Sequence, residues 1–284
     1  MLYCSVDTQD LARSATVAAF VTFHYRVHTM QFLNSVLSNL SEFYVGRMHV
    51  TVVTNVDDLV EKERIEKLCR NYFPNHSYEI ASFPDLHLGS MLTWKHKPLL
   101  RAAVQANYSH FIYLEDDIDL TFGNFLYFLH FADVLREYGL VPSFLRTEFN
   151  HEAGEIRSTD AVHSTPINKA SLIEVRGQMF ASPRFPYCAS YVLNRNMADE
   201  YLASKSFDYE KSIEMSQWGI PERAAMGVCW ENPPKGYSHR YVLPVSPDLV
   251  PMPFCQTAHM PSNYTNAESI FGRLEVNKLF KEET

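Results

Sequence analysis

The chain has no long hydrophobic run: nowhere in its 284 residues does a window approach the roughly 18 uncharged apolar residues of a membrane-spanning helix. Its opening, "MLYCSVDTQDLARS", lacks the charged-then-apolar order of a signal peptide, so the chain as given reads as soluble. Location stays open between the cytoplasm and, for the catalytic part of an anchored protein, the Golgi or secretory lumen. Cysteine is sparse. Cys4, Cys69, Cys188, Cys229 and Cys255 are odd in number, widely spaced and free of any C-x-x-C pair, which excludes a zinc knuckle or a full disulfide framework and predicts buried thiols. Basic clusters are missing too. With 25 Lys and Arg against 33 Asp and Glu, the net charge of −8 excludes a nucleic-acid backbone as the main partner. There is no internal repeat and no low-complexity linker, so residues 1–284 are expected to form a single domain.

Alternating strands and helices fill the first 120 residues. "SATVAAFVTFHY", from Ser14, is a β-branched and aromatic run, followed by a helical pattern with Met30, Leu33, Val36, Leu37 and Leu40 on one face. "MHVTVVTN" reads as a buried strand and "DDLVEKERIEKLCRNYF" as a helix with acids in its first turn, where they suit the helix dipole. "SYEIASFP" is a third strand. "TWKHKPLLRAAVQANY" is a helix whose regular part begins near Lys97, ahead of Pro98, and "HFIYLEDD" is a fourth strand. This order predicts an α/β fold with a mostly parallel sheet and helices on both faces. Beyond residue 120 regularity fades. "NFLYFLHFADVLREYG", "NMADEYLASKSFD" and "PERAAMGVCW" read as helices, with short strands between them and an irregular Pro-rich tail from Pro244. The expected organisation is a nucleotide-type half over about 15–120 and an irregular half over about 121–284.

In "HFIYLEDDIDL" three acids follow an apolar strand directly, and Asp119 comes two places later. Adjacent carboxylates repel, and burial strips their hydration, so folding alone gives no reason to gather them there. In open parallel sheets ligands bind beyond the carboxyl ends of the strands, which is where Glu115, Asp116 and Asp117 fall. Side chains alternate across a strand, so Glu115 and Asp117 are expected to point one way and Asp116 the other, a pair suited to a hard cation such as Mn²⁺ or Mg²⁺. The competing reading is a solvated strand end whose acids cap the next helix.

The apolar strand closing in "LEDD", fourth in an alternating α/β half, resembles the D-x-D element of GT-A fold nucleotide-sugar glycosyltransferases. The likeness covers most of the chain in element order, with close motif agreement only in short pieces. It implies a metal that clamps the donor diphosphate, with Asp117 as direct ligand and Glu115 as a further ligand or contact; Glu stands where many members have the first Asp, and Asp119 competes. It also implies a late histidine on the metal, for which "CQTAHMPSNYTN" offers His259. Arg26, Asp57, Lys97 and Asp116 fall where similar chains hold base, ribose or diphosphate. The implied partners are a nucleotide-sugar donor, UDP by family habit, and a glycan or other hydroxyl acceptor.

Transfer with inversion needs a general base for the acceptor hydroxyl, and similar enzymes carry an acid near a helix start in the second half. "SQWGIPERAAMG" supplies Glu222 after Pro221, with Trp218 nearby as a flat face for a sugar; Arg146, in "FLRTEFN", is a second acceptor candidate. A retaining enzyme on the same fold, or a non-catalytic sugar-binding module, are the alternatives. A nucleotidyltransferase is disfavoured because the stretch after the first strand holds no glycine for a phosphate loop.

Overall fold

The computed structural model describes residues 5–166, 171–215, 217–265 and 269–281. In chain order its elements are α1 (Val6–Ser14), β1 (Thr16–Phe23), α2 (Met30–Ser41), β2 (Arg47–Thr54), α3 (Leu59–Tyr72), β3 (Ser77–Ser82), α4 (His96–Gln105), β4 (His110–Glu115), β5 (Ile118–Asp119) and α5 (Phe122–Arg136). There follow β6 (Val141–Pro142), β7 (Leu145–Asn150), β8 (Glu155–Ser158), β9 (Leu172–Val175), β10 (Gln178–Ala181), β11 (Ser190–Asn194), α6 (Arg195–Leu202), α7 (Ile220–Ala225), β12 (Tyr241–Val245) and β13 (Gln256–His259). The chain is α/β with mixed sheets, and it divides into two compact units. No helix among the described residues is long and apolar enough to cross a membrane.

The first unit comprises Ser5–Phe122 and Ala189–Val228. Its five-stranded sheet has the order β11-β4-β1-β2-β3. Strands β1 to β4 are parallel and β11 is antiparallel to β4. Moving from β1 to β2 to β3 shifts the chain one way, and the step to β4 carries it back past β1. Right-handed crossovers then place α2 and α3 on one face and α4 on the other. The apolar stripe read in α2 is the one that is buried, with Leu33, Val36, Leu37 and Leu40 against the sheet side. Helix α3 begins on a cap: the Asp58 carboxylate accepts from the Val60 and Glu61 amides. The regular part of α4 starts at His96, preceded by a 3-10 stretch over Gly89–Lys95. Residues 189–228, read from sequence as part of the second half, return to this unit: every residue of β11 is buried, and the strand completes the sheet beside β4.

The second unit comprises Gly123–Cys188 and Cys229–Thr284. Strands β6, β12, β10 and β9 form one sheet; β13 pairs parallel with β7, and β7 antiparallel with β8. Helix α5 is buried nearly all round, which explains why "NFLYFLHF" shows no polar face. Its Asn124 amide is satisfied by donating to the carbonyls of Phe254 and Gln256. The helix run closes at Gly139, whose φ of +73° a side-chain-bearing residue would adopt only with strain. The tail is less irregular than its prolines suggest, because Gln256–His259 is a strand. Cys69, Cys188, Cys229 and Cys255 are buried free thiols, and burial pushes the Cys69 thiol up to about 12; Cys4 lies outside the described residues.

A buried ion pair anchors this unit. The Arg146 guanidinium donates from Nε and Nη2 to both oxygens of Asp160, at 2.9 and 2.5 Å, and lies between the rings of Tyr187 and Tyr264. Asp160→Ala would leave that guanidinium buried without its carboxylate, so unfolding in urea is expected to show a loss of about 3 kcal/mol. A loss below about 1 kcal/mol would mean that solvent reaches Arg146 in the variant.

Candidate functional site

Strand β4 runs between β1 and β11, and β1 has β2 on its other side. The chain order reverses between β1 and β4, so the crevice at their carboxyl ends is the switch point of the sheet. The acids lie there. Glu115 is the last residue of β4, and Asp116 and Asp117 form the turn that leads to β5. Two backbone bonds pin the turn, from the Glu115 amide to the Ala189 carbonyl at 3.2 Å and from the Asp116 amide to the Thr22 carbonyl at 3.1 Å. Because the strand stops at Glu115, alternation along an extended chain does not set the direction of Asp117. The expectation that Glu115 and Asp117 share a face by pleating is therefore withdrawn.

Pleating does fix what lies beneath Glu115. Thr22 pairs with Glu115 across β1 and β4, Phe20 pairs with Tyr113, and Tyr113 pairs with Tyr191 on β11. Glu115, Tyr113 and Thr22 thus share one face of the sheet. The Tyr113 ring stacks on Tyr191, with centroids 5.3 Å apart, and lies 4.2 Å from the ring of His96. His96 is itself fixed: Nδ1 donates to the Thr93 carbonyl and Nε2 accepts from the Tyr191 hydroxyl at 2.6 Å. Burial, with the charge of Lys97, holds this imidazole well below its ordinary range, so it is neutral.

The electrostatics of the turn are those of crowded like charges. Burial raises the Asp116 carboxyl well above the usual range, the charges of Asp117 and Glu115 add to the rise, and Arg26 opposes it weakly. Arg26, an exposed residue at the start of the turn before α2, is thus brought into range of Asp116. Asp119 is raised by burial and by Glu42, and its Oδ1 accepts from the Asn39 amide at 2.5 Å, which gives this competing ligand a partner on α2. Among the described residues no three His, Cys, Asp or Glu side chains are grouped as a metal site.

The Asp116 shift has a consequence for stability. A carboxyl whose folded pKa is raised keeps its proton in the folded chain while the unfolded chain releases it, so its contribution falls as pH rises above about 4, and the penalty is complete above the folded pKa. In EDTA at pH 7, Asp116→Asn is expected to raise Tm by about 2 °C or more, the equivalent of about 1 kcal/mol. The gain should shrink at pH 4. An equal or lower Tm at pH 7 would show that neither burial nor the neighbouring charges penalise an ionised Asp116.

The remaining expected residues lie in varied surroundings. Asp57 is exposed and lies 3.8 Å from the Lys62 ammonium. Lys97 is buried: its ammonium donates to the Ser206 carbonyl at 2.6 Å and sits 3.7 Å from the Trp94 ring centroid, near Tyr201 and Phe207 as well. That cage holds the 201–207 segment against α4, and the diphosphate contact expected of Lys97 has no support in its placement. Glu222 lies in the first turn of α7 with its carboxylate folded so close over Gly219 that any larger residue there would collide with it. Its Oε2 is buried and has no hydrogen-bond partner among the described residues. Trp218, half-buried, precedes this turn. A groove of about 440 Å³ between α2 and α3 includes Met30, Asn34, Lys67 and Leu68 in its lining, and none of the expected site residues lines it.

In the second unit, His259 ends β13 and is buried rather than held in a polar loop. Its Nδ1 donates at 2.5 Å to Glu148, whose carboxylate also accepts from the Tyr264 and Thr265 amides. Burial alone would raise the Glu148 carboxyl, but these three donors outweigh it and leave the group below its ordinary range. The bond to Glu148 fixes the orientation of the imidazole through Nδ1. Arg146 is committed to Asp160, so the acceptor contact expected of it has no support either.

Sequence reading passed over Thr22 and Tyr113. Each sits inside an apolar or strand pattern, and the one available signal was a polar atom at a position that pleating buries. Neither a scan against protein-family models nor a search of curated proteins finds a match to the chain.

Proposed function

We propose that the chain is a metal-dependent glycosyltransferase of the GT-A fold, which moves a sugar from a nucleoside-diphosphate donor, UDP in the first instance, to a hydroxyl of a glycan acceptor with inversion. One observation carries the reading: the Glu115-Asp116-Asp117 turn lies at the switch point of a parallel sheet, where α/β folds bind nucleotides. The donor set suits a hard cation. Asp116, raised by burial first and then by the charges of Asp117 and Glu115, stands with these carboxylates beside buried hydroxyls, and such all-oxygen surroundings favour Mn²⁺ or Mg²⁺.

In this reading Asp117 and Glu115 hold the cation, which when bound offsets the charge that develops on the departing nucleoside diphosphate. Asp116 and Arg26 face the nucleotide-sugar. Glu222 takes the proton from the acceptor hydroxyl as its oxygen attacks the anomeric carbon. The buried Oε2 supports that role, since an oxygen left without a partner is costly and is more often retained at functional sites. Trp218 offers an apolar face to the acceptor ring.

The test is a screen of nucleotide-sugars with Mn²⁺ and no acceptor, reading nucleotide release. Slow, EDTA-sensitive hydrolysis of one donor is expected. Mn²⁺ with the matching nucleoside diphosphate at a hundred times its dissociation constant should stabilise the fold by roughly 2.7 kcal/mol. No release and no stabilisation across the panel would favour a non-catalytic module. Product NMR would report the configuration; retention would remove Glu222 as base.

A further inference from the structure

Two hydroxyls lie buried on the face of the sheet that carries Glu115. Thr22 is 4% exposed and Tyr113 is fully buried. Neither Thr22 Oγ1 nor Tyr113 Oη has a hydrogen-bond partner among the described residues. Buried hydroxyls left in this state are uncommon, because each forgoes its hydration without replacement. The pair is also rigidly placed: Tyr113 is clamped between His96 and Tyr191, and Thr22 is held by the β1–β4 ladder, its carbonyl accepting the Asp116 amide.

We propose that Thr22 and Tyr113 form a hydroxyl floor to the acidic turn, binding one ordered water that donates to the Glu115 and Asp116 carboxylates and so holds Glu115 in position for a divalent cation. The inference rests on the cation-binding reading of the turn and adds two positioning residues that no sequence motif marks. A water there has the polar partners that a buried water needs: two hydroxyls below and carboxylate oxygens above. The alternative is that the hydroxyls are an uncompensated cost of packing. The two cases differ in sign. If the hydroxyls only cost stability, removing them raises Tm and leaves cation affinity unchanged. If they form the floor, removing them weakens cation binding.

The experiment uses the full chain with Tyr113→Phe, which keeps the ring, and Thr22→Val, which keeps the shape. Free Mn²⁺ is counted by electron paramagnetic resonance during titration with UDP present, and Tm is measured without metal. A fivefold or greater loss of Mn²⁺ affinity in each variant, with Tm unchanged or higher, is expected. Unchanged affinity in both variants overturns the floor while leaving the cation reading intact. Failure of the unsubstituted chain to bind Mn²⁺ overturns both. A variant that loses affinity only together with a large fall in Tm counts against the proposal, because general loosening would then explain the loss.

Discussion

Asp117→Asn is expected to lower glycosyl transfer by about 10³-fold or more while raising Tm slightly. The substitution keeps the shape of the side chain and removes its charge. Asp117 lies in the turn that follows β4, outside the sheet's hydrogen-bond ladder. The turn already holds more negative charge than its surroundings favour, as the raised Asp116 shows, and losing one carboxylate relieves repulsion. Stability and activity are thus expected to move in opposite directions, the pattern of a strained functional site. The readouts are Mn²⁺-dependent nucleotide binding, donor hydrolysis and transfer, all of which should fall together. Activity retained within tenfold would place the cation, or the chemistry, away from this turn.

Glu222→Gln is expected to divide the two halves of the reaction. Donor binding and Mn²⁺ affinity should remain near the unsubstituted values, since no step of donor capture is assigned to this residue, while transfer to acceptor should fall by about 10²- to 10⁴-fold. Glutamine reproduces the carboxylate's shape over Gly219, so the start of α7 should survive. The deciding measurement is kcat for transfer across pH. A general base gives a rate that rises with pH through its pKa, and the glutamine variant should lose that limb. Full transfer by Glu222→Gln would put the base elsewhere or point to retention.

Much of the sheet was legible because its signals are local. β1, β2 and β4 are apolar runs bounded by polar turns, and the stripe Leu33, Val36, Leu37 and Leu40 marked both the helix and its buried face. What escaped depends on distant partners. Nothing in "SYVLN" says that it pairs with β4 instead of joining the second half, because an apolar five-residue strand fits many edges. The same holds for charged side chains. Lys97 and Arg146 read as exposed ligand contacts on the strength of their charge, yet one lies in a cage built from Trp94, Tyr201 and Phe207, and the other is bound to Asp160, fourteen places away. The acidic turn was legible since crowding is visible in the sequence itself. The hydroxyls beneath it were not, because Thr and Tyr are ordinary strand formers and only the register with Glu115 shows which face they share.

The central claim is that the turn after β4 holds a divalent cation bound to a nucleoside diphosphate. Anomalous diffraction from crystals grown with Mn²⁺ and UDP tests it most directly. A manganese peak at about 2.1 Å from an Asp117 oxygen, with diphosphate oxygens completing its shell, is the expected result. Ordered UDP elsewhere, with no anomalous density beside Glu115, Asp116 or Asp117, would contradict the account.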